Sequence, residues 1–347
     1  METDHPAAGK KWPQRITKAT LLAFVAPVIL AVLWFGLSIR AFDPSDDAFQ
    51  SVTVYPGANE SAISNLLYGR GLISSSFSYK LYTRLRGRQG RLQAGIYEIS
   101  PSMSVSEIIQ KLTTGDVATY MLTILPSQRL SQLRDIFLAA GFSDADVDDA
   151  LAPANYSGHP ALADKPPEAS LEGYLSPESF QYTLSTPLSA IVKSSLDFSA
   201  SLFTDEIKRA LDEQGLSLHQ GIILASIVEQ EVNNPQDKPK VAQVFLTRLK
   251  MGTTLGSDVT AYYGASLEGL KETVTVDSPY NTRKYPGLPP GPISNISASS
   301  LRAVAKPAST GYLYFVAGDD GITYFSHTLA EHTALAKEHC KVLCQLQ

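Results

Sequence analysis

The sequence predicts an α+β protein with a single N-terminal transmembrane helix, a small module behind it and a larger mixed α/β domain. Three observations carry that reading. Ala19 to Ile39 holds no charged residue and is rich in Leu, Val, Ala, Ile and Phe. Short strand and helix signals alternate between Ser51 and Gly115. The strongest helical periodicities and a hairpin signal gather after residue 201. Composition agrees: 44% of the 347 residues are hydrophobic and 18% are charged, which excludes a wholly disordered, highly charged chain.

As a helix, Ala19–Ile39 spans about 30 Å, the thickness of a bilayer core. Pro27 is tolerated in such helices. Trp34 and Phe35 stand near the far end, where aromatic rings favour the interface. Lys10, Lys11, Arg15 and Lys18 precede the run, and Arg40, Asp43, Asp46 and Asp47 follow it. Positive charge stays inside, so residues 1–18 read as a cytoplasmic tail and 40–347 as extracytoplasmic, anchored in the inner (cytoplasmic) membrane by a single pass. The rival is a cleaved signal peptide. The apolar run is long for that, and Gly36-Leu-Ser-Ile-Arg-Ala41 is a poor cleavage site.

Residues 40–50 are polar and read as a linker. In the module, 51–115, Val52, Val54 and Tyr55 predict a strand ending at Pro56-Gly57, and Glu60–Tyr68 a helix. Gly95–Ile99 predicts a second strand, and Val105–Leu112 a helix capped by Ser104 with Glu107 three residues on. Residues 116–347 form the larger domain, with its core at 201–347. It opens with a strand over Tyr120–Leu125 and a helix over Ser131–Ala140 ending at Gly141. Ala152 to Ala169 is rich in Pro and Ala and reads as a loop.

The segment Gly221 to Val232 is the most informative. Ile223, Leu224, Ile227 and Val228 recur at helical spacing and share a face. Glu231 falls in the middle of that face, and Glu229 points roughly the opposite way. An ionised carboxylate in apolar surroundings is costly, so its pKa rises. A glutamate that holds its proton near neutral pH is what a general acid needs. The bland alternative is that Glu231 looks out past the helix end, where Asn233, Asn234 and Pro235 stop the helix, or pairs with Arg248. Asp237 is placed to cap a helix over Lys238–Lys250, with Gly252 behind it. A loop, Thr253–Thr260, follows. Tyr262, Tyr263, Tyr280 and Tyr285 could stack on sugar faces, although ordinary packing accounts for many such rings. Gly287 to Ile293 is a stiff, proline-rich loop. Ser297 caps a helix that ends near Lys306. Tyr312–Ala317 and Ile322–Ser326 flank Gly318-Asp-Asp-Gly321 as a hairpin, and Leu329–Leu343 closes the chain as a helix. Near the end of that helix Cys340 and Cys344 could pair in an oxidising compartment, but helix geometry makes an i,i+4 bridge awkward, so they read as free thiols.

Several classes are excluded. The formal net charge is −5 with no basic stripe, which argues against nucleic acid. Two cysteines, no HExxH pair and no Gly-rich phosphate motif leave no metal or nucleotide cofactor to expect.

The chain resembles the YceG-like family of endolytic murein transglycosylases. The resemblance rests on Leu224-Ala-Ser-Ile-Val-Glu-Gln-Glu231, Lys240-Val-Ala-Gln-Val-Phe-Leu-Thr-Arg-Leu249, Ser278-Pro-Tyr-Asn-Thr282, Gly287-Leu-Pro-Pro-Gly-Pro-Ile293, Tyr312-Leu-Tyr-Phe-Val-Ala317 and Leu171-Glu-Gly-Tyr-Leu-Ser-Pro177, in the family's order. It implies a membrane-anchored enzyme that cuts MurNAc-β-1,4-GlcNAc bonds within peptidoglycan glycan strands and leaves 1,6-anhydroMurNAc ends. It also implies a LysM-like module at 51–115 and partners in the cell-wall synthesis machinery. The family's catalytic glutamate maps to Glu231, the residue the helical pattern selects. Ser257, Asp258, Tyr280, Asn281 and Glu172 are the candidate substrate-binding residues, each with a structural alternative. The rivals are an inverting hydrolase using Asp258 or Glu229 to activate water, and a wall-binding scaffold without activity. Three departures stand out. Leu255-Gly-Ser-Asp-Val-Thr260 lacks the family's glutamine and proline. Thr323 stands where a histidine is common, and Ser176 replaces a bulky aromatic.

Overall fold

The computed structural model describes residues 18–347 apart from 56, 184, 185, 343 and 345–347, and side chains from residue 25 onward. The described residues divide into two compact units, one reaching to Thr119 together with Thr183, and the other running from Tyr120 onward. The division therefore falls just past the expected residue 115, and 116–200 shares its unit with 201–347.

The first unit begins with helix α1, Lys18–Ser38. Its apolar side chains from Val25 to Leu37 are mostly exposed. No helix of the described residues is long and apolar enough to cross a membrane, and the side chains of 19–24, the start of the expected span, lie outside those residues. Strand β1, Gln50–Val54, pairs antiparallel with β2, Gly95–Ile99, in the register Gln50↔Ile99. Between them lie α2, Glu60–Gly69, and α3, Ser76–Leu85; α4, Val105–Thr114, follows β2. Ser104 and Glu107 form the capping box the sequence signals, and Gly115 ends α4 at φ 71°, a left-handed position that suits glycine. Val52, Leu67, Tyr79, Tyr97, Ile108 and Leu112 make this unit's own core. Helix α3 occupies a stretch to which the sequence reading assigns no element, and its buried face is built from Ser78, Tyr79 and Thr83.

In the second unit β3, Tyr120–Thr123, pairs antiparallel with β4, Ser179–Tyr182. The helices between them are α5, Leu130–Ala139, and α6, Asp144–Leu151, followed by two short 3-10 turns where the sequence reads as loop. Then come α7, Leu188–Leu202, α8, Asp205–Glu213, α9, Leu218–Glu231, α10, Lys238–Lys250, α11, Asp258–Leu267, and α12, Ala298–Ala305. Strands β5, Tyr314–Ala317, and β6, Thr323–Ser326, form the expected hairpin, and α13, Leu329–His339, packs on it.

Helix α9 is the centre of this unit, in contact with α8, α10, α11 and α12. From Leu218 to Glu229 every residue except Gln220 is buried. The single apolar face expected from the pattern is thus a helix buried nearly all round, and of the two settings open to Glu229, solvent or a neighbouring layer, it takes the neighbouring layer. Two further expectations are corrected. Asp237 does not cap α10 with its side chain; its carboxylate accepts from Lys240 at 2.9 Å and from Asn234 at 2.9 Å. The last helix stops at His339, so Cys340 is its C-cap in a non-helical conformation, and Cys340 and Cys344 form a disulfide across a Cα–Cα distance of 5.4 Å. The i,i+4 objection holds only for cysteines inside a helix.

Candidate active site

The site is built on the last turn of α9. Glu231 is its final helical residue, and Val232 leaves in an extended conformation. One oxygen of the Glu231 carboxyl accepts a hydrogen bond from the Ser257 hydroxyl at 2.6 Å. Glu231 keeps part of its surface open to solvent, yet enough protein surrounds the carboxyl that burial pushes its pKa up to about 7. The Ser257 hydrogen bond opposes that shift, the Asp258 charge adds to it, and the Arg248 charge opposes it.

Ser257 stands immediately before α11 and is itself buried. Its backbone N–H donates to the Thr282 hydroxyl at 3.3 Å, and its carbonyl accepts from Thr260 at 2.6 Å. Gly256 N–H donates to the Thr282 carbonyl at 2.9 Å. The hydroxyl that touches Glu231 is thus fixed by two loops locked to each other. Asp258, the first residue of α11, is ion-paired with Arg283. Arg248 does not pair with Glu231. It spends its guanidinium on the Leu313 carbonyl, at 2.9 and 3.1 Å, and on the Leu255 carbonyl, and lies over the Tyr314 ring at 5.3 Å.

Two residues before Glu231, Glu229 meets a different environment. One oxygen accepts from Lys238 Nζ at 2.8 Å; the other accepts from the Ser297 amide at 2.8 Å and from the Ser297 and Ser300 hydroxyls at 2.6 Å each. Burial pushes its pKa up, but these donors outweigh burial and hold it below the usual carboxylate range.

The remaining candidates are spread over the adjoining loops. Tyr280 is half-buried, its ring centroid 4.9 Å from that of Tyr263. Tyr263 donates to Glu172 at 3.2 Å. Glu172 also accepts from the Leu130 amide at 3.1 Å, at the start of α5, and burial pushes its pKa up to about 7. Asn281 is fully enclosed. Its amide donates to the Val274 and Val276 carbonyls at 2.9 and 2.8 Å and accepts from the Arg283 amide at 3.0 Å, which occupies it with its own loop. Glu231, Ser257 and Asp258 therefore meet at one point, while Tyr280 and Glu172 are joined to each other through Tyr263.

The sequence from 52 to 338 matches the YceG-like family. The chain belongs to the YceG-like family. Among its curated relatives, a Bacillus subtilis protein named endolytic murein transglycosylase is 32% identical over 311 residues, covering 83% of this chain and 84% of that one. A Streptococcus pneumoniae protein of the same name is 26% identical over 93% of this chain and 65% of its own length. A crystal structure of a YceG-like protein from Listeria monocytogenes, 30% identical, superposes with a TM-score of 0.54 over 83% of this chain and 99% of that one.

The departures of this YceG-like chain acquire a physical meaning in the fold. Gly256, in place of glutamine, has φ 69°, and a Cβ there would come 3.1 Å from the Arg248 guanidinium. The left-handed backbone at 256 suits glycine, and a side chain there would press on the Arg248 guanidinium. Val259, in place of proline, is the second residue of α11, within the first turn, where the backbone N–H is unneeded. Ser176, in place of an aromatic, is buried and lines a cavity of about 420 Å³ with Phe198 and Leu202.

Three features go beyond the sequence reading: Lys238 as the partner of Glu229, Arg248 as the holder of the loop ahead of Ser257 rather than a partner of Glu231, and α11 as the helix that carries Asp258. The last had a signal: Asp258 at the start of a helical turn, preceded by a serine. Gly264 and the mixed polarity of the segment hid it.

Proposed function

We propose that this protein is a membrane-anchored endolytic lytic transglycosylase that cleaves MurNAc-β-1,4-GlcNAc bonds within peptidoglycan strands and so trims or terminates nascent strands. The observation that carries the reading is the Glu231 carboxyl, hydrogen-bonded to Ser257 and with a pKa raised to about 7 by burial. Such a group carries a transferable proton near neutral pH. Glu231 donates that proton to the glycosidic oxygen, and the bond from MurNAc C1 to the departing GlcNAc breaks. The positive charge developing at C1 is stabilised by the substrate's own acetamido group. Glu231, now ionised, takes the proton of the C6 hydroxyl, whose oxygen bonds to C1 and closes the 1,6-anhydro ring. No water is consumed and the carboxyl regains its starting state.

Ser257 orients the carboxyl and steadies its ionised form between the two steps. Asp258, anchored by Arg283, biases Glu231 toward holding its proton. Tyr280 offers a ring face and hydroxyl to sugar, Asn281 shapes the loop beneath it, and Glu172 braces α5 against α11. The inverting-hydrolase alternative requires a second free carboxylate; Glu229 is bound to Lys238 and Asp258 to Arg283.

Residues 51–115 serve in this reading as the LysM-like module, and α1 as the single membrane pass with the enzyme on the extracytoplasmic side, close to the synthesis machinery. Exposed apolar residues along α1 support the anchor. The test is digestion of purified sacculi by the full chain in detergent, with mass spectrometry of the fragments. Anhydro ends are expected; fragments carrying an added water would replace this reading with hydrolysis.

A further inference from the structure

Helix α3 of the first unit is amphipathic the wrong way round. Its buried side carries Ser78 and Thr83 beside Tyr79, while Phe77 and Leu85 are 62% and 69% exposed. Phe77, Leu81, Arg84 and Leu85 fall at i, i+4, i+7 and i+8, one stripe of the helix. Burying hydroxyls while two large apolar side chains stay out forgoes hydrophobic stabilisation unless something else covers that stripe.

What covers it follows from where α3 is held. Ser38, the last residue of α1, hydrogen-bonds Ser78 at 2.6 Å. The Phe77 ring lies 6.4 Å from that of Trp34, a turn inside the end of α1. Further along α3, Tyr82 donates to Ser106 at 2.9 Å, and the neighbouring Val105 amide donates to the Ile39 carbonyl at 3.1 Å. Ser78 and Phe77 thus touch the end of α1 directly, and Tyr82 is tied to it through the start of α4. The chain after α3 adds charge. Arg84 to Arg91 contains four arginines and no acid. All four are exposed, and none forms an ion pair among the described residues. Arg86 lies 5.3 Å over the Tyr82 ring, which holds its head group at the same surface.

We propose that the exposed stripe of α3 and the arginines of 84–91 form a second membrane contact, seated in the anionic phospholipid surface of the bilayer that α1 enters. Phe77 continues the apolar surface of α1 at the level of Trp34, Leu81 and Leu85 enter the headgroup boundary, and the arginines meet lipid phosphates. The contact fixes the angle at which the module leaves the membrane, which a lone helix and linker would leave free. The inference rests on α1 being inserted, as proposed above.

The experiment uses the full chain in proteoliposomes of phosphatidylcholine and phosphatidylglycerol whose acyl chains are brominated near the headgroup. Fluorescence of W12F reports Trp34 in the span. L85W in a W12F/W34F background reports the stripe. Both are expected to be quenched, and R84E/R88E should reduce the L85W quench at least twofold while Trp34 stays quenched. Trp34 quenched with L85W unaffected overturns the proposal and leaves the anchor standing. An L85W quench that is equal in pure phosphatidylcholine and indifferent to R84E/R88E overturns the role of the arginines. Unquenched Trp34 sinks the anchor and this contact together. Protection of 84–91 by an anionic wall polymer, with no L85W quench, assigns the patch to that polymer instead.

Discussion

Glu229 and Glu231 leave the same helix two residues apart, and the protein pushes their carboxyls in opposite directions. Glu229 points to the side where α10 and α12 begin, and it finds an ammonium, three hydroxyl or amide donors and no solvent. Glu231 points to the side where α11 begins and finds one hydroxyl and a neighbouring carboxylate. Both lose water. The difference lies in how fully the lost hydration is replaced. A fully replaced carboxylate is a structural bolt, whereas an under-replaced one keeps its proton and can give it away.

Breaking the two sites separately should give different phenotypes. Glu231→Gln is expected to lower anhydro-product formation by about 10²–10⁴-fold, the usual worth of a general acid or base, with an unchanged circular dichroism spectrum. Glu229→Gln removes one partner of a buried pair and should cost about 3–5 kcal/mol of stability, read as a fall in Tm, while activity per folded molecule is retained. Loss of fold in the first or loss of chemistry alone in the second would reverse the assignments.

The pH dependence sharpens the contrast. Glu231 must be protonated to start the reaction, so the cleavage rate should fall as pH rises past about 7. Stability follows the same sign. A folded pKa of about 7 against an ordinary value of 4.5 means that Glu231 contributes stability that is present at low pH and lost as pH rises through 7. The Tm of Glu231→Gln relative to the parent should therefore be higher at pH 8 than at pH 5. The smallest effects concern the neighbours. Ser257→Ala removes a bond that favours the ionised form, and should move the alkaline limb of the rate profile to higher pH with a loss of about tenfold. Asp258→Asn removes a charge that disfavours it, and should move the limb the other way with little change in maximal rate.

How much of this was legible varies by element. The capping box at Ser104 and Glu107, the stiff loop after Gly287 and the β5–β6 hairpin stand where the sequence puts them, because local turn and cap chemistry decides them. Glu231 was singled out as lying on one apolar face, whereas the fold sets it at the end of a helix buried on nearly every side. Periodicity locates apolar side chains but does not say how many layers enclose them, so the pattern left Glu229 open between solvent and a neighbouring layer. Helix α3 was missed because its buried residues are small and polar and its large apolar residues face outward. The disulfide was missed because the last helix ends one residue before Cys340.

By itself the sequence determined which segments could be helix, strand or turn and which glutamate lies among apolar neighbours, since those depend on spacing along one chain. Tertiary structure decided which glutamate keeps its proton. Lys238, Ser297 and Ser300 reach Glu229 from other elements, Ser257 reaches Glu231 from another, and a carboxyl's pKa is set by the charges and donors that arrive beside it in space.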